Sequence, residues 1–300
     1  MLLPFFKKKK DGLKIAVIFN KDRDDTIGCY FEKALRQTGH DVRHFWTIYA
    51  DKIKPVFDLY LRIDHGDYKY DIPDHLRPCG FLAIDTHLKH PYEKISEQAL
   101  HYDFVYCAQK EGAERLARHR RIKTHWVPLG CDPDMHKNLR VKKTLDIGFV
   151  GTDGKKSLRK ELLEKLRGRY PRNFLGMAAH TKMSRIYSAS KIGFNYSIVN
   201  DINMRMFEVM SCGALLLTNE IKDNGFHELF EDRKHLVVYK TPEELFKLAD
   251  YYLTHDEERE RIALAGCELV RGRHTYLDRI TAMLRIAQEG LTAKYQKLSP

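Results

Sequence analysis

Nothing in these 300 residues approaches the run of about 18 consecutive apolar side chains that a membrane-spanning helix needs. The opening MLLPFFKKKK places its charges after its apolar residues, the reverse of a secretory signal, so a cytoplasmic chain is expected. The six cysteines (Cys29, Cys79, Cys107, Cys131, Cys212 and Cys267) include no C-x-x-C pair and no cluster with metal-ligand spacing. That excludes a disulfide scaffold and a tetrahedral metal site, and it leaves reduced, buried thiols. No zinc finger, aromatic RNA-binding signature or long basic arm is present, so no nucleic-acid partner is expected. Internal repeats and low-complexity tracts are also missing.

What the chain does have is length, core-forming residues and positive charge. Three hundred residues with 43% hydrophobic content suffice for two domains of about 150 residues each. Fifty-two basic against 41 acidic residues give a formal charge of +11, which favours anionic ligands without choosing among phosphate esters, nucleic acid and acidic lipid. Two phenylalanines followed by Lys7–Lys10 offer a weak contact with an anionic membrane surface, a frayed and solvated terminus being the plainer reading.

Short β-branched and aliphatic runs alternate with helical patterns along almost the whole chain, as stacked βα units with a parallel sheet require. KIAVIF at Lys14 to Phe19 reads as a buried strand; Ile27, Tyr30, Phe31, Ala34 and Leu35 then share one helical face that Gly39 closes. Further strands are expected near residues 42–46, 57–63, 80–84, 104–108 and 125–129. Between Gly130 and Thr144 the periodicity lapses, and a second series of strands and helices follows. After Pro242, which suits a first helical position, the chain reads as helical to about Gln288. The expected fold is α/β, with two Rossmann-like doubly wound lobes facing a central cleft. Its domains are 1–135, 136–275 and a terminal helix 276–300 that packs back on the first lobe through Tyr276, Ile280, Met283, Leu284 and Ala287.

The most informative stretch is NYSIVNDINMRMFEVMSCGALLLT, residues 195–218. A strand ends near Ser197, a polar loop covers Asn200 to Asn203, and a helix begins near Met204, so unpaired N–H groups and the positive helix end favour a diphosphate. Arg205 in the first turn adds a fork of donors. Glu208 lies on the same face one turn on. It can accept from the two ribose hydroxyls or form an intrahelical pair with Arg205, and the apolar neighbours favour a cavity-lining role. In FVGTDGKKSLRKELL, Gly151, Thr152 and Gly154 form a turn that a phosphate can approach closely, with Lys155, Lys156 and above all Arg159 to neutralise it. In FLAIDTHLKH, Asp85 and His87 follow a buried strand, where they can take the acceptor hydroxyl proton or orient the transferring sugar, loop capping being the ordinary alternative. His65 in RIDHGD ranks second. Asp22-Arg23-Asp24 matches D-x-D formally but reads as a solvated loop, and no metal is expected.

These pieces resemble a known family. NDINMRMFEVMSCGALLLTN, with IDTH, HYDFVYCAQK, WVPLGCDP, DIGFVG and IALAGCELVRGRHTYLDR, looks like the GT-B glycosyltransferases. More narrowly it resembles the CgeB-like group (spore maturation protein, glycosyl transferases group 1 type), over about residues 80 to 280. The resemblance implies transfer of a hexosyl group from a nucleotide sugar, a UDP-sugar first, to a glycan, protein or small-molecule acceptor. It implies no separate cofactor, with donor-binding residues Gly151, Thr152, Arg159, Asn200, Asn203, Arg205 and Glu208 and catalytic candidates Asp85 and His87. Glu208 matches the second Glu of a Glu-x7-Glu motif, whereas Asn200 stands at the first position. That role falls to Asn200 or Asp201, or is absent, and the stereochemical outcome stays open. A nucleotide-sugar epimerase of the same fold and a non-catalytic sugar-nucleotide or nucleic-acid binder are the alternatives.

Overall fold

The computed structural model describes residues 12–154 and 157–298. They fall into two compact units, one running to Pro128 and resuming at Tyr276, the other Leu129–Thr275. The Lys7–Lys10 segment, Lys155 and Lys156 lie outside the described residues.

The first unit is built on β1 (Lys14–Ile18), α1 (Ile27–Gln37), β2 (Asp41–Phe45), β3 (Leu59–Ile63), β4 (Cys79–Ala83), α2 (Lys89–Gln98), β5 (Phe104–Cys107), α3 (Lys110–Arg120) and β6 (Thr124–Trp126). The six strands form one parallel sheet in the order β2-β1-β3-β4-β5-β6. Every residue of β3 and β4 is buried, as in a sheet covered on both faces; β4 is an apolar run, whereas β3 carries the buried Arg62, whose Nε lies 3.5 Å from Asp71 Oδ1. Ala16, Ile18, Tyr60, Phe81, Val105 and Leu116 contribute to one core. Because β2 and β3 flank β1 on opposite sides, the chain reverses direction across the sheet beside β1 and opens a crevice at the carboxyl ends of β1 and β3.

The second unit comprises β7 (Leu145–Val150), α4 (Leu158–Arg169), β8 (Asn173–Gly176), α5 (His180–Ala189), β9 (Ser190–Asn195), α6 (Met204–Ser211), β10 (Leu215–Asn219), α7 (Phe226–Leu229), β11 (Val237–Tyr239), α8 (Pro242–Thr254) and α9 (Asp256–Arg273). Its parallel sheet has the order β11-β10-β9-β7-β8, so the switch point lies between β7 and β9. Ile147, Phe149, Ile192, Phe194, Leu217 and Tyr239 pack with Leu162, Leu166, Leu245 and Ile262 in its core. Thr241 caps α8 by accepting from the Glu244 N–H, with Pro242 in the first turn. The units divide at Pro128/Leu129, a few residues before the expected 135/136. The aperiodic stretch after Gly130 is loop, but it is tied to α5: Ser184 and Ser188 hydroxyls accept from the N–H groups of Lys137 and Leu139 at 3.1 and 3.0 Å.

The terminal helix α10 (Tyr276–Leu298) packs back on the first unit. Tyr276 stacks on Tyr30 at 5.1 Å and meets Phe31 edge-on at 5.2 Å, and Tyr106 donates to the Met283 carbonyl at 2.9 Å. Of the expected apolar stripe, Tyr276, Ile280, Met283 and Ala287 are buried and Leu284 is half-buried. Among the described residues no helix is long and apolar enough to cross a membrane. All six cysteines are free thiols; burial pushes those of Cys79 and Cys107 up to about 12 and that of Cys131 to about 11.

Candidate functional site

The switch point of the second unit gathers most of the residues singled out from sequence. There β7 ends at Val150, whose N–H donates to the Tyr187 hydroxyl at 3.0 Å. β9 ends at Asn195, and α6 lies close against it because Gly193 presents no Cβ: one would collide with the Val209 side chain. α6 starts at Met204 after the loop 196–203, so its tip stands at the carboxyl ends of these strands.

Arg205 is locked in place. Its Nε donates to the Val150 carbonyl and its Nη1 to Asn195 Oδ1, both at 3.0 Å, while the guanidinium lies 4.3 Å from the Phe149 ring centre. Asn195 is itself fixed, its Nδ2 donating to Thr218 Oγ1 at 3.0 Å and its carbonyl accepting from the Tyr239 hydroxyl at 3.0 Å. Arg159, near the start of α4, donates from Nε and Nη2 to the Tyr196 carbonyl at 3.1 and 2.8 Å, and from Nη1 to the Thr152 carbonyl at 3.4 Å. Burial, and after it the neighbouring Arg205, lowers the pKa of Arg159 from its ordinary value. Two guanidinium groups are thus held by neutral acceptors at one sheet end, close enough to repel. An anion between them would relieve that repulsion.

The helix tip has a matching feature. Asn203, the N-cap residue, makes no capping hydrogen bond with its side chain, and its buried amide oxygen and nitrogen have no hydrogen-bond partner among the described residues. The orphan N–H groups of α6 are therefore not plugged by the residue type that usually plugs them. Gly151 lies against the Arg205 guanidinium with φ of +146°, its N–H donating to the Gly176 carbonyl at 3.0 Å. Thr152 is exposed and contributes its carbonyl to Arg159.

Glu208 is buried, at 5% exposure, and its Oε1 lies 3.7 Å from Nε2 of His136. The intrahelical pair with Arg205 is not made, since the arginine reaches instead to Val150 and Asn195. The Asn200 side chain is engaged with the loop at Lys222. In the left-handed region at φ of +55°, it donates from Nδ2 to the Lys222 carbonyl at 2.6 Å and accepts from the Lys222 N–H at 2.7 Å. Both ends of its amide bracket two loops, a use that residue spacing cannot reveal. Asn200→Ala should lower the melting temperature, by the equivalent of about 1–2 kcal/mol for the two lost bonds, while nucleotide affinity stays within threefold; paired melts and calorimetry check both.

In the first unit, Asp85 and His87 lie in the loop between β4 and α2, each half-buried. Asp85 is held through its backbone, its N–H donating to Asp64 Oδ2 at 3.2 Å and its carbonyl accepting from the Leu88 N–H at 3.1 Å. Asp64, which no local pattern marks out beside His65, organises this end of the sheet: its carboxylate also accepts from the Ile84 and Gly66 N–H groups at 3.0 Å each and from the Tyr68 hydroxyl at 3.2 Å. His65 accepts from the Asp67 N–H at Nδ1 (3.3 Å), so its Nε2 carries the proton toward Thr47 Oγ1 at 2.9 Å, and burial lowers its pKa. Asp22, Arg23 and Asp24 are exposed in the loop between β1 and α1, as a solvated segment should be. Among the described residues no group of three His, Cys, Asp or Glu side chains is arranged to hold a metal ion.

Two parallel-sheet Rossmann-like units, with the terminal helix returned to the first, have the architecture of the GT-B glycosyltransferase fold. The glycosyl transferase-like family profile matches residues 134–285, half of the chain, and the chain belongs to that family. Solved structures share the fold at low identity. HepE from Anabaena, in complex with UDP and glucose, is 12% identical with a TM-score of 0.67, over 92% of this chain and 100% of that one. Sucrose-phosphate synthase from Thermosynechococcus elongatus is 10% identical with a TM-score of 0.67, over 93% and 99%. An alpha-glucosyltransferase in complex with UDP-glucose and DNA containing an abasic site is 9% identical with a TM-score of 0.71, over 92% and 99%. No curated protein sequence matches the chain.

Proposed function

We propose that the protein is a CgeB-like hexosyltransferase that moves a sugar from a UDP-sugar to a glycan, protein or small-molecule acceptor in the cytosol. The observation that carries this reading is the pair Arg159 and Arg205, fixed by carbonyl and amide oxygens at the β7/β9 switch point beside the tip of α6. In this assignment the diphosphate lies across the two guanidinium groups, the α6 N–H groups and the backbone at Gly151 and Thr152, with Asn203 completing its hydrogen bonds on the ligand. Glu208 accepts from the ribose hydroxyls. As the glycosidic bond to phosphate breaks, negative charge grows on the leaving diphosphate, and preorganised cations stabilise it without reorganising. The reaction is accordingly proposed to need no metal. Asp85 or His87 serves the acceptor hydroxyl, Asp64 holding the loop in which both stand. HepE and the alpha-glucosyltransferase, whose complexes hold UDP-sugars, support UDP as the first nucleotide to try.

A thermal-shift panel of UDP-, GDP-, ADP- and TDP-glucose tests the reading. A ligand at a hundred times its dissociation constant stabilises by about 2.7 kcal/mol, and UDP-glucose should give the largest shift, retained in excess EDTA. No shift with any of the four would sink the proposal.

A further inference from the structure

The carboxylate assigned to the ribose has a neighbour whose placement is tightly specified. His136 Nε2 lies 3.7 Å from Glu208 Oε1, with the two side chains only 2% and 6% exposed. The backbone sets the tautomer of this ring: the Asp132 N–H donates to His136 Nδ1 at 3.0 Å, so the proton of the neutral imidazole sits on Nε2, the nitrogen facing Glu208. A tight turn fixes the ring's position. The Asp132 carbonyl accepts from the N–H groups of Met135 and His136 at 3.1 and 2.7 Å, and Asp132 Oδ1 accepts from Asp134 and Met135 at 2.8 and 3.2 Å. The helix that carries Glu208 also holds the histidine, since Ser211 Oγ donates to the His136 carbonyl at 2.6 Å. Arg271, from α9, reaches the same carbonyl at 3.4 Å.

We propose that His136 is a positioning residue for Glu208, its Nε2–H holding one carboxylate oxygen and so setting the rotation of the carboxylate toward the ribose. The inference rests on the ribose-binding reading of Glu208. A buried carboxylate is costly unless donors face it, and a ligand-binding group holds its geometry only when a second group fixes its torsion. A shift of about half an ångström brings Nε2 into hydrogen-bond range, the kind of tightening that accompanies ligand binding.

The test compares the affinities for UDP and 2′,3′-dideoxy-UDP by calorimetry in the wild type and in Glu208→Gln, His136→Asn and His136→Gln. Asparagine can still accept from the Asp132 N–H but is too short to reach Glu208; glutamine places a donor near the Nε2 position. The wild type should prefer UDP, and Glu208→Gln should bring the ratio of affinities close to one. His136→Asn should reduce the ratio about tenfold, the loss of one hydrogen bond to a charged group, with dideoxy-UDP binding unchanged. His136→Gln should recover most of it. If the wild type binds both ligands alike, or Glu208→Gln keeps the wild-type ratio, the ribose reading itself fails. If Glu208→Gln collapses the ratio but His136→Asn preserves it, the positioning role is overturned and the ribose reading stands. The positioning role is likewise overturned if His136→Asn weakens both ligands equally and His136→Gln does no better.

Discussion

Arg205→Ala should weaken UDP binding by about a hundredfold, the scale on which preorganised donors to a phosphate act. The residue is held at the site by three fixed partners: the Val150 carbonyl, Asn195 Oδ1 and the Phe149 ring. Arg205 spans the carbonyl and the amide from two separate nitrogens, whereas lysine offers its donors from one, so Arg205→Lys should recover only a small part of the loss. Arg159→Ala should act in the same direction. The double variant should lose less than the sum of the single losses, because both arginines bind one diphosphate and repel each other in its absence. Calorimetric titration with UDP reads all four proteins; an Arg205→Ala variant that binds UDP within threefold of wild type would rule out a diphosphate site at this helix tip.

The second large effect is expected at Gly151. Its φ of +146° belongs to a region that side chains strain to adopt, and a Cβ there would run into Nη2 of Arg205. Gly151→Ala therefore carries a backbone cost of about 1–3 kcal/mol and also displaces the arginine. Affinity for UDP should fall at least tenfold, on the order of the energy of one displaced charged hydrogen bond, and the melting temperature should drop. The two causes separate in a cycle: in an Arg205→Ala background the clash is gone, so Gly151→Ala should cost less stability there than in the wild type. Equal costs in both backgrounds would mean that the glycine serves the backbone alone.

Much of the fold is written in local patterns. Buried parallel strands are continuous apolar runs, so KIAVIF, LDIGFV and the strand before NDINMR can be read directly; α6 begins and ends at the residues that the pattern suggests, Met204 and Ser211. Boundaries drift where local chemistry is ambiguous. β6 shrinks to Thr124–Trp126 although apolar residues continue to Leu129. Arg205, Arg159 and Gly151 are legible as a cluster because a helix start after a strand has only a few uses. That Asn200 also ties its loop to the backbone of Lys222 is not legible locally, because a polar side chain in a loop looks the same in sequence whatever it faces. Asp64, Asn195 and His136 are recognised only through partners that the fold brings to them: Ile84 and Asp85, Thr218 and Tyr239, and Glu208.

By itself, then, the amino-acid order determined the alternation of strand and helix, the two-unit α/β class and the residues at strand ends, since periodicity, caps and glycines are properties of a few consecutive positions. The tertiary structure alone decided which strands became neighbours. The orders β2-β1-β3 and β9-β7-β8 set both switch points, and the second brings Arg205 to Val150 across 55 residues and His136 to Glu208. Such pairings depend on the packing of whole sheets and helices, where many weak contacts are satisfied together, and no short window of sequence contains that information.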